Sequence, residues 1–240
     1  MANRGQTSTP KAEPLRPNDG YVQSFARGLT VIRAFGREHR ELTLSEVAEL
    51  TGLTRAGARR ILLTLLTLGY VACDERKFSL TPRILDLGYA YLSSLQLWDF
   101  VEPIMEDLVE QAHESCSISV LDDTEIVYVL RVPTRKIMSI NLSIGSRLPA
   151  YCTSMGRILL GGLSEKDLDI TLRRSKPKDL TKRTVTDLDR LKKIVFADRK
   201  KGWSLVNQEL EEGLCSLSVP IADYSGKIIA AMNISGNVTR

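Results

Sequence analysis

Apolar positions in the first third of the chain recur at helical spacing, whereas later ones mix that spacing with short alternating runs. Phe25, Leu29, Ile32 and Phe35 recur every three or four residues, which predicts a helix over about 25–35, ended by the polar run GREHRE. Thr43 and Glu46 form a T-x-x-E capping box ahead of Val47, Ala48 and Leu50, so a second helix starts there. Gly52 breaks it, Thr54 caps a third helix over about 55–68, and Gly69 ends that one. The apolar runs YVAC and KFSL flank Asp74, Glu75 and Arg76 and read as a β-hairpin. Pro82 opens a further helix, with Ile84, Leu85, Leu87, Leu92 and Leu95 on its apolar faces.

Beyond residue 100 a helix over 101–114 precedes two strands, SISVLDD and EIVYVLRVP, joined by an acidic turn at Asp122, Asp123 and Thr124. The run IMSINLSIGSRLP is also β-rich, and helical segments fall near 155–163, 165–173 and 186–201. Two last strands, CSLSVPI and KIIAAMNIS, are joined by the turn ADYSG. Strands and helices of mixed order make an α+β domain. The expected division is a flexible leader over 1–19, a DNA-binding domain over 20–81, a linker helix over 82–99 and an effector-binding domain over 100–240.

The two helices around Gly52 carry the most specific chemistry. A helix-turn-helix needs a small residue where its helices approach, a turn glycine and apolar inner positions. Ala48 and Gly52 meet the first two needs, and Val47, Leu50, Leu53, Ala58 and Ile61 meet the third. At 100° per residue, Arg55, Ala56, Arg59 and Arg60 lie on the outer side of the second helix, and no acid occurs between Arg55 and Leu68. A basic helix start suits the major groove, where arginine reads guanine O6 and N7 and the helix dipole favours phosphate. Arg55 and Arg59 are the expected base readers. Arg76 and Lys77 at the hairpin tip make that hairpin a wing reaching phosphate or minor groove. Thr43, Ser45 and Thr54 are candidate phosphate contacts that serve equally well as plain helix caps.

Charge supports this placement. Of a net +4, residues 20–80 hold nine basic and six acidic groups, while residues 81–240 balance. The apolar share of 43% and the charged share of 26% exclude a disordered chain, and no apolar run approaches a membrane span. Residues 1–19 have no apolar core resembling a secretory signal, so the chain is expected in the cytoplasm and away from membranes. Four cysteines without a C-x-x-C pair and two histidines fit no metal site, so neither a metal nor a cofactor is expected.

The stretch from Tyr21 to Val71, YVQSFARGLTVIRAFGREHRELTLSEVAELTGLTRAGARRILLTLLTLGYV, resembles the IclR family of bacterial transcriptional regulators. It is most similar to the branch controlling aromatic-acid catabolism, the regulators of protocatechuate, β-ketoadipate and 4-hydroxybenzoate pathways. IGSRLPAYCTSMGRILLGGL is similar to the family's effector-loop signature, and GWSLVNQELEEGLCSLSVPIADYSGKIIAAMNISG to its closing segment. The resemblance implies a winged helix-turn-helix, a linker helix and a GAF-like α+β effector domain. It also implies a homodimer or dimer of dimers on double-stranded operator DNA, and a small carboxylate effector. Family members commonly add a C-terminal helix after the SG motif, which residues 237–240 do not supply.

A carboxylate effector needs hydrogen-bond donors and an apolar wall. The loop before the helix near Met155 offers the hydroxyls of Thr153 and Ser154 together with first-turn amides. By the family resemblance, Met155, Gly156, Asn207, Ser216, Asn233 and Ser235 close the pocket. Asn233 and Ser235 are two apart on one strand and so face one side. Arg131, Arg135 and Arg147 could pair with an anionic effector but read better as solvated surface, and the four cysteines read as reduced, mostly buried thiols. An enzyme with a helical front end, and a module meeting an acidic protein, are the competing readings. No G-x-S-x-G, Walker A, G-x-G-x-x-G or H-E-x-x-H motif supports the enzyme, so no catalytic residue is assigned.

Overall fold

The computed structural model describes residues 20–36, 38–92, 98–134 and 142–238. The leader 1–19 and Arg135 lie outside them. The chain forms two compact units, Met1–Ser94 and Leu95–Arg240.

In the first unit, α1 (Gln23–Ala34), α2 (Leu44–Thr51) and α3 (Arg55–Thr67) pack around Val31, Phe35, Leu42, Val47, Ala58, Leu62, Leu65 and Val71. The capping box at α2 is complete. The Thr43 amide and hydroxyl donate to Glu46 Oε2 at 2.7 and 2.8 Å, and the Glu46 amide donates back at 3.4 Å. Gly52 ends α2 with φ 66°, a left-handed conformation that a side chain disfavours, and this turn aims α3. Gly69 and Tyr70 close α3 by donating to Leu66 and Leu65, the paired bonds of a Schellman ending. The hairpin β2 (Val71–Asp74) and β3 (Lys77–Leu80) forms as the sequence predicts. A strand that the pattern does not reveal, β1 (Glu41–Thr43), pairs with β3 and gives the order β1-β3-β2.

Two apolar assignments need correction. Leu50, expected on the inner face of the helix pair, is half exposed. Only the C-terminal half of the α1 stripe packs, Phe35 in the core and Ile32 against it. Phe25 (68% exposed) and Leu29 point outward with Tyr21 and Val22, while Val31 and Phe35 fill the core. A short 3-10 turn (Pro82–Ile84) and α4 (Leu85–Leu92) follow the hairpin.

In the second unit, α5 (Trp98–Ala112) leads into an antiparallel six-stranded sheet of order β6-β5-β4-β9-β8-β7. Its strands are β4 (Ser115–Asp122), β5 (Glu125–Val132), β6 (Arg147–Pro149), β7 (Ser204–Asn207), β8 (Leu214–Ala222) and β9 (Ile228–Asn237). The centre joins β4 to the last strand, β9, so residues far apart in sequence become neighbours. One face carries α6 (Ser154–Gly161), whose eight residues are all buried. Outside α6 lie α7 (Glu165–Ser175) and α8 (Leu188–Lys201), and their Leu168, Leu172, Leu191 and Val195 share its core. Strand alternation turns Cys116 and Ile118 to the opposite face, and α5 packs on β4 and β5. The fold class is therefore the expected one, a winged helix-turn-helix with an α+β effector-type domain.

Candidate functional site

The DNA-facing candidates sit on α3 and the wing. Thr54 caps α3 by accepting the Gly57 amide at 3.1 Å, and this fixes where the helix starts. Arg55, Ala56, Arg59 and Arg60 then emerge exposed, and among the described residues none of the three arginines forms an ion pair. Their guanidinium groups remain free for an external anion. Ser45 is exposed on the first turn of α2, while the Thr43 hydroxyl is engaged with Glu46. At the wing tip Arg76 is exposed beside Glu75, whose φ of 52° closes the two-residue turn. Lys77 is also exposed but meets Glu41 at 3.4 Å, so its charge is partly answered within the wing sheet.

The effector candidates converge from α6 and the central strands. A small pocket with an open mouth is lined by Thr153, Ser154, Met155, Ser216, Asn233 and Ser235. Tyr128, Leu142, Leu148, Cys152, Val206, Leu210 and Leu214 form its remaining wall. Three of these polar residues are chained together with Ser218, which stands behind the lining. The Ser218 hydroxyl donates to Ser154 at 2.6 Å, Ser154 and Ser216 share a 2.8 Å hydrogen bond, and Asn233 Nδ2 donates to Ser216 at 2.8 Å. Asn233 Oδ1 is buried with no hydrogen-bond partner. Burial pushes the Tyr128 phenol up to about 12, against the pull of the Arg131 charge, so it stays a hydroxyl at neutral pH. Burial, helped by the charge of Glu209, likewise pushes the Cys152 thiol up to about 12.

Two predicted residues are not brought into this lining. Asn207 is exposed, because β7 alternates and sends Val206 inward instead. Gly156 serves packing. A Cβ there would stand 2.1 Å from the Ala150 carbonyl oxygen, so glycine lets the turn Ala150–Cys152 lie against α6. The Gly156 amide is also taken, by the Thr153 hydroxyl that caps α6.

The sequence reading also missed part of the polar wall. Paired residues put Arg131, Ser117, Asn233, Ser218 and Ser204 in one row across five strands, with Ser115, Ser235 and Ser216 in the next. A buried sheet face with this much hydroxyl is unusual, and Ser117, Ser115 and Ser218 carry no local sequence signal that would reveal it. Arg147 pairs with Glu125 and Asp122, both at 2.8 Å, in keeping with a solvated reading. Arg131 departs from that reading, since it is half buried with Nη1 3.3 Å from the Ser117 hydroxyl. Among the described residues no group of His, Cys, Asp and Glu is arranged to hold a metal, and no helix is long and apolar enough to cross a membrane.

Comparison with known proteins agrees with both halves. Residues 24–75 match the IclR helix-turn-helix domain, and residues 89–240 match the bacterial transcriptional regulator IclR C-terminal domain. The Pca regulon regulatory protein of Pseudomonas putida is 43% identical over 92% of this chain and 76% of its own length. The p-hydroxybenzoate hydroxylase transcriptional activator of Acinetobacter baylyi is 35% identical over 95% and 86%. A crystal structure from Rhodococcus sp. RHA1 superposes with a TM-score of 0.82 at 52% identity, covering 92% of this chain and 88% of that one. An IclR homolog from Microbacterium hydrocarbonoxydans, solved with 4-hydroxybenzoate, shares the fold with a TM-score of 0.82 at 23% identity, covering 91% and 90%. With its two domains matched in order and across most of its length, this chain belongs to the IclR family of transcriptional regulators.

Proposed function

We propose that the chain binds operator DNA through α3 and the wing, and that an aromatic or β-ketoadipate-type acid in the α6 pocket adjusts that binding. The observation that carries the DNA reading is the exposed, unpaired Arg55–Arg59 ridge on a helix without acids. Arg55 and Arg59 read base edges, and Ala56 meets the groove floor. Arg60, Arg76, Lys77, Ser45, Thr43 and Thr54 line the phosphates, the two threonines through the helix starts that they cap. Thr153, Ser154, Met155, Ser216, Asn233 and Ser235 receive the effector, with Gly156 shaping the pocket. The names of the Pseudomonas and Acinetobacter relatives, and the 4-hydroxybenzoate held by the Microbacterium homolog, support an aromatic acid.

The effector shifts populations between arrangements of differing DNA affinity, and no chemistry is performed on it. The outward stripe of Tyr21, Val22, Phe25 and Leu29 supports two-fold assembly, which suits a pair of half-sites about one helical turn apart. The protein works in the cytoplasm, with 20–81, 82–99 and 100–240 as its DNA-binding, linker and effector parts. Fluorescence anisotropy tests the reading. A duplex carrying the promoter region binds more tightly than random duplex at fixed salt, and affinity falls steeply as salt is added. Equal binding of the two duplexes contradicts it.

A further inference from the structure

Among the arginines on or beside the sheet's pocket face, charges are answered unevenly. Arg157 is paired with Glu209 and Arg147 with two carboxylates, but among the described residues no carboxylate pairs with Arg131. Arg131 instead lies over β4, its Nη1 3.3 Å from the buried Ser117 hydroxyl. Ser117 stands opposite Asn233, one strand spacing of about 4.8 Å away. Neither Arg131 nor Ser117 is itself in the pocket lining, but the row they share runs on to Asn233, which is. The Arg131 charge is felt at Tyr128, which lines the same pocket. Leaving a half-buried cation without an anion costs stability, and a guanidinium holds a carboxylate in a two-pronged geometry that no hydroxyl matches.

A second observation points to a ligand independently. Asn233 is only 5% exposed, it lines the pocket, and its Oδ1 has no hydrogen bond within the protein. An amide oxygen buried in this state is costly unless something supplies a donor.

We propose that Arg131 is the counter-ion for the effector's carboxylate, with the unfilled Asn233 amide, two strands away in the same row, bonding a further polar group of the same molecule. This rests on the reading of the pocket as the effector site. Arg131 then sets specificity for the charged acid, while the serine chain and the apolar wall hold the body of the ligand. Removing the guanidinium removes the acid's advantage without removing the pocket.

Isothermal titration of the full chain at pH 7 tests this with 4-hydroxybenzoate, 3,4-dihydroxybenzoate and 3-oxoadipate, each beside its uncharged amide. The wild type binds the preferred acid at least about tenfold more tightly than its amide. Arg131→Gln lowers acid affinity about tenfold and leaves amide affinity unchanged, so the preference collapses. Arg131→Lys, which keeps the charge but not the fork, falls between. A wild type that binds amide and acid equally overturns the proposal without any variant, and so does an Arg131→Gln protein that keeps the preference. If the wild type binds none of the six compounds while still binding promoter duplex, the effector reading of the pocket fails and takes this proposal with it.

Discussion

Arg157 Nη2 donates to Glu209 Oε2 at 2.7 Å, and both side chains are almost wholly buried. Arg157 Nε also donates to the Tyr151 carbonyl at 3.2 Å, and Glu209 Oε2 accepts the Val185 amide at 3.2 Å. One ion pair thus ties α6 to the segment before α8 and to the loop carrying Leu210, a pocket wall. Glu209→Ala strands a buried guanidinium and an amide, and is expected to cost about 3–5 kcal/mol. Paired replacement, Arg157→Met with Glu209→Leu, recovers a large part of that loss. Chemical denaturation of the three proteins checks this, and equal losses in the single and paired variants contradict it.

Gly156→Ala is expected to damage the effector unit, because the added methyl collides with Ala150 backbone that cannot move aside. Overpacking of this kind costs about 1–3 kcal/mol. The same substitution at Gly88 on α4, where a Cβ meets nothing within 4 Å and the backbone is helical, avoids both collision and strain. Urea midpoints of the two variants distinguish this account from one in which Gly156 serves the ligand alone, which predicts no stability loss without ligand.

Hydrogen bonds from the Thr43 amide and then the Thr43 hydroxyl hold the Glu46 carboxyl below its ordinary 4.5. A carboxyl depressed by folding contributes stability above its unfolded pKa and loses it as pH falls through the folded value. The winged unit therefore weakens on acidification below about pH 4.5, and Glu46→Gln flattens that dependence. Melting curves of the full chain between pH 6 and 3 check the sign. A wild type and variant with parallel pH profiles rule the capping carboxylate out as the cause.

If the outward face of α1 joins two copies, Phe25→Glu puts a charge into the joint. The expected outcome is a shift of mass toward monomer in light scattering and a weaker grip on a two-half-site duplex, since linked binding is lost. An unchanged mass places the interface elsewhere.

Local chemistry decided which features could be read in advance. The capping box, Gly52 and Gly69 were legible because a helix end needs particular residues at fixed offsets. The acidic turn and its strands were legible because alternation has period two, and Asp123 does adopt the left-handed φ of 59° there. What escaped depends on partners remote in sequence. β1 is three residues long and exists only because β3 pairs with it. Asn207 faces away because Val206 must fill the wall, and Arg131 gains its setting from Ser117 on a neighbouring strand. Phe25 and Leu29 revealed the helix but not which face the core would take, since that depends on α2 and α3.

The central claim is that Arg55 and Arg59 enter the groove of a duplex. The direct measurement is operator affinity across a salt series for the wild type, Arg55→Ala and Arg59→Ala, each beside a duplex with single base changes. The account predicts a loss of about 1–3 kcal/mol per arginine on the operator, with relaxed choice at one base position and little change on random duplex. Variants that bind operator as tightly and as selectively as the wild type contradict it.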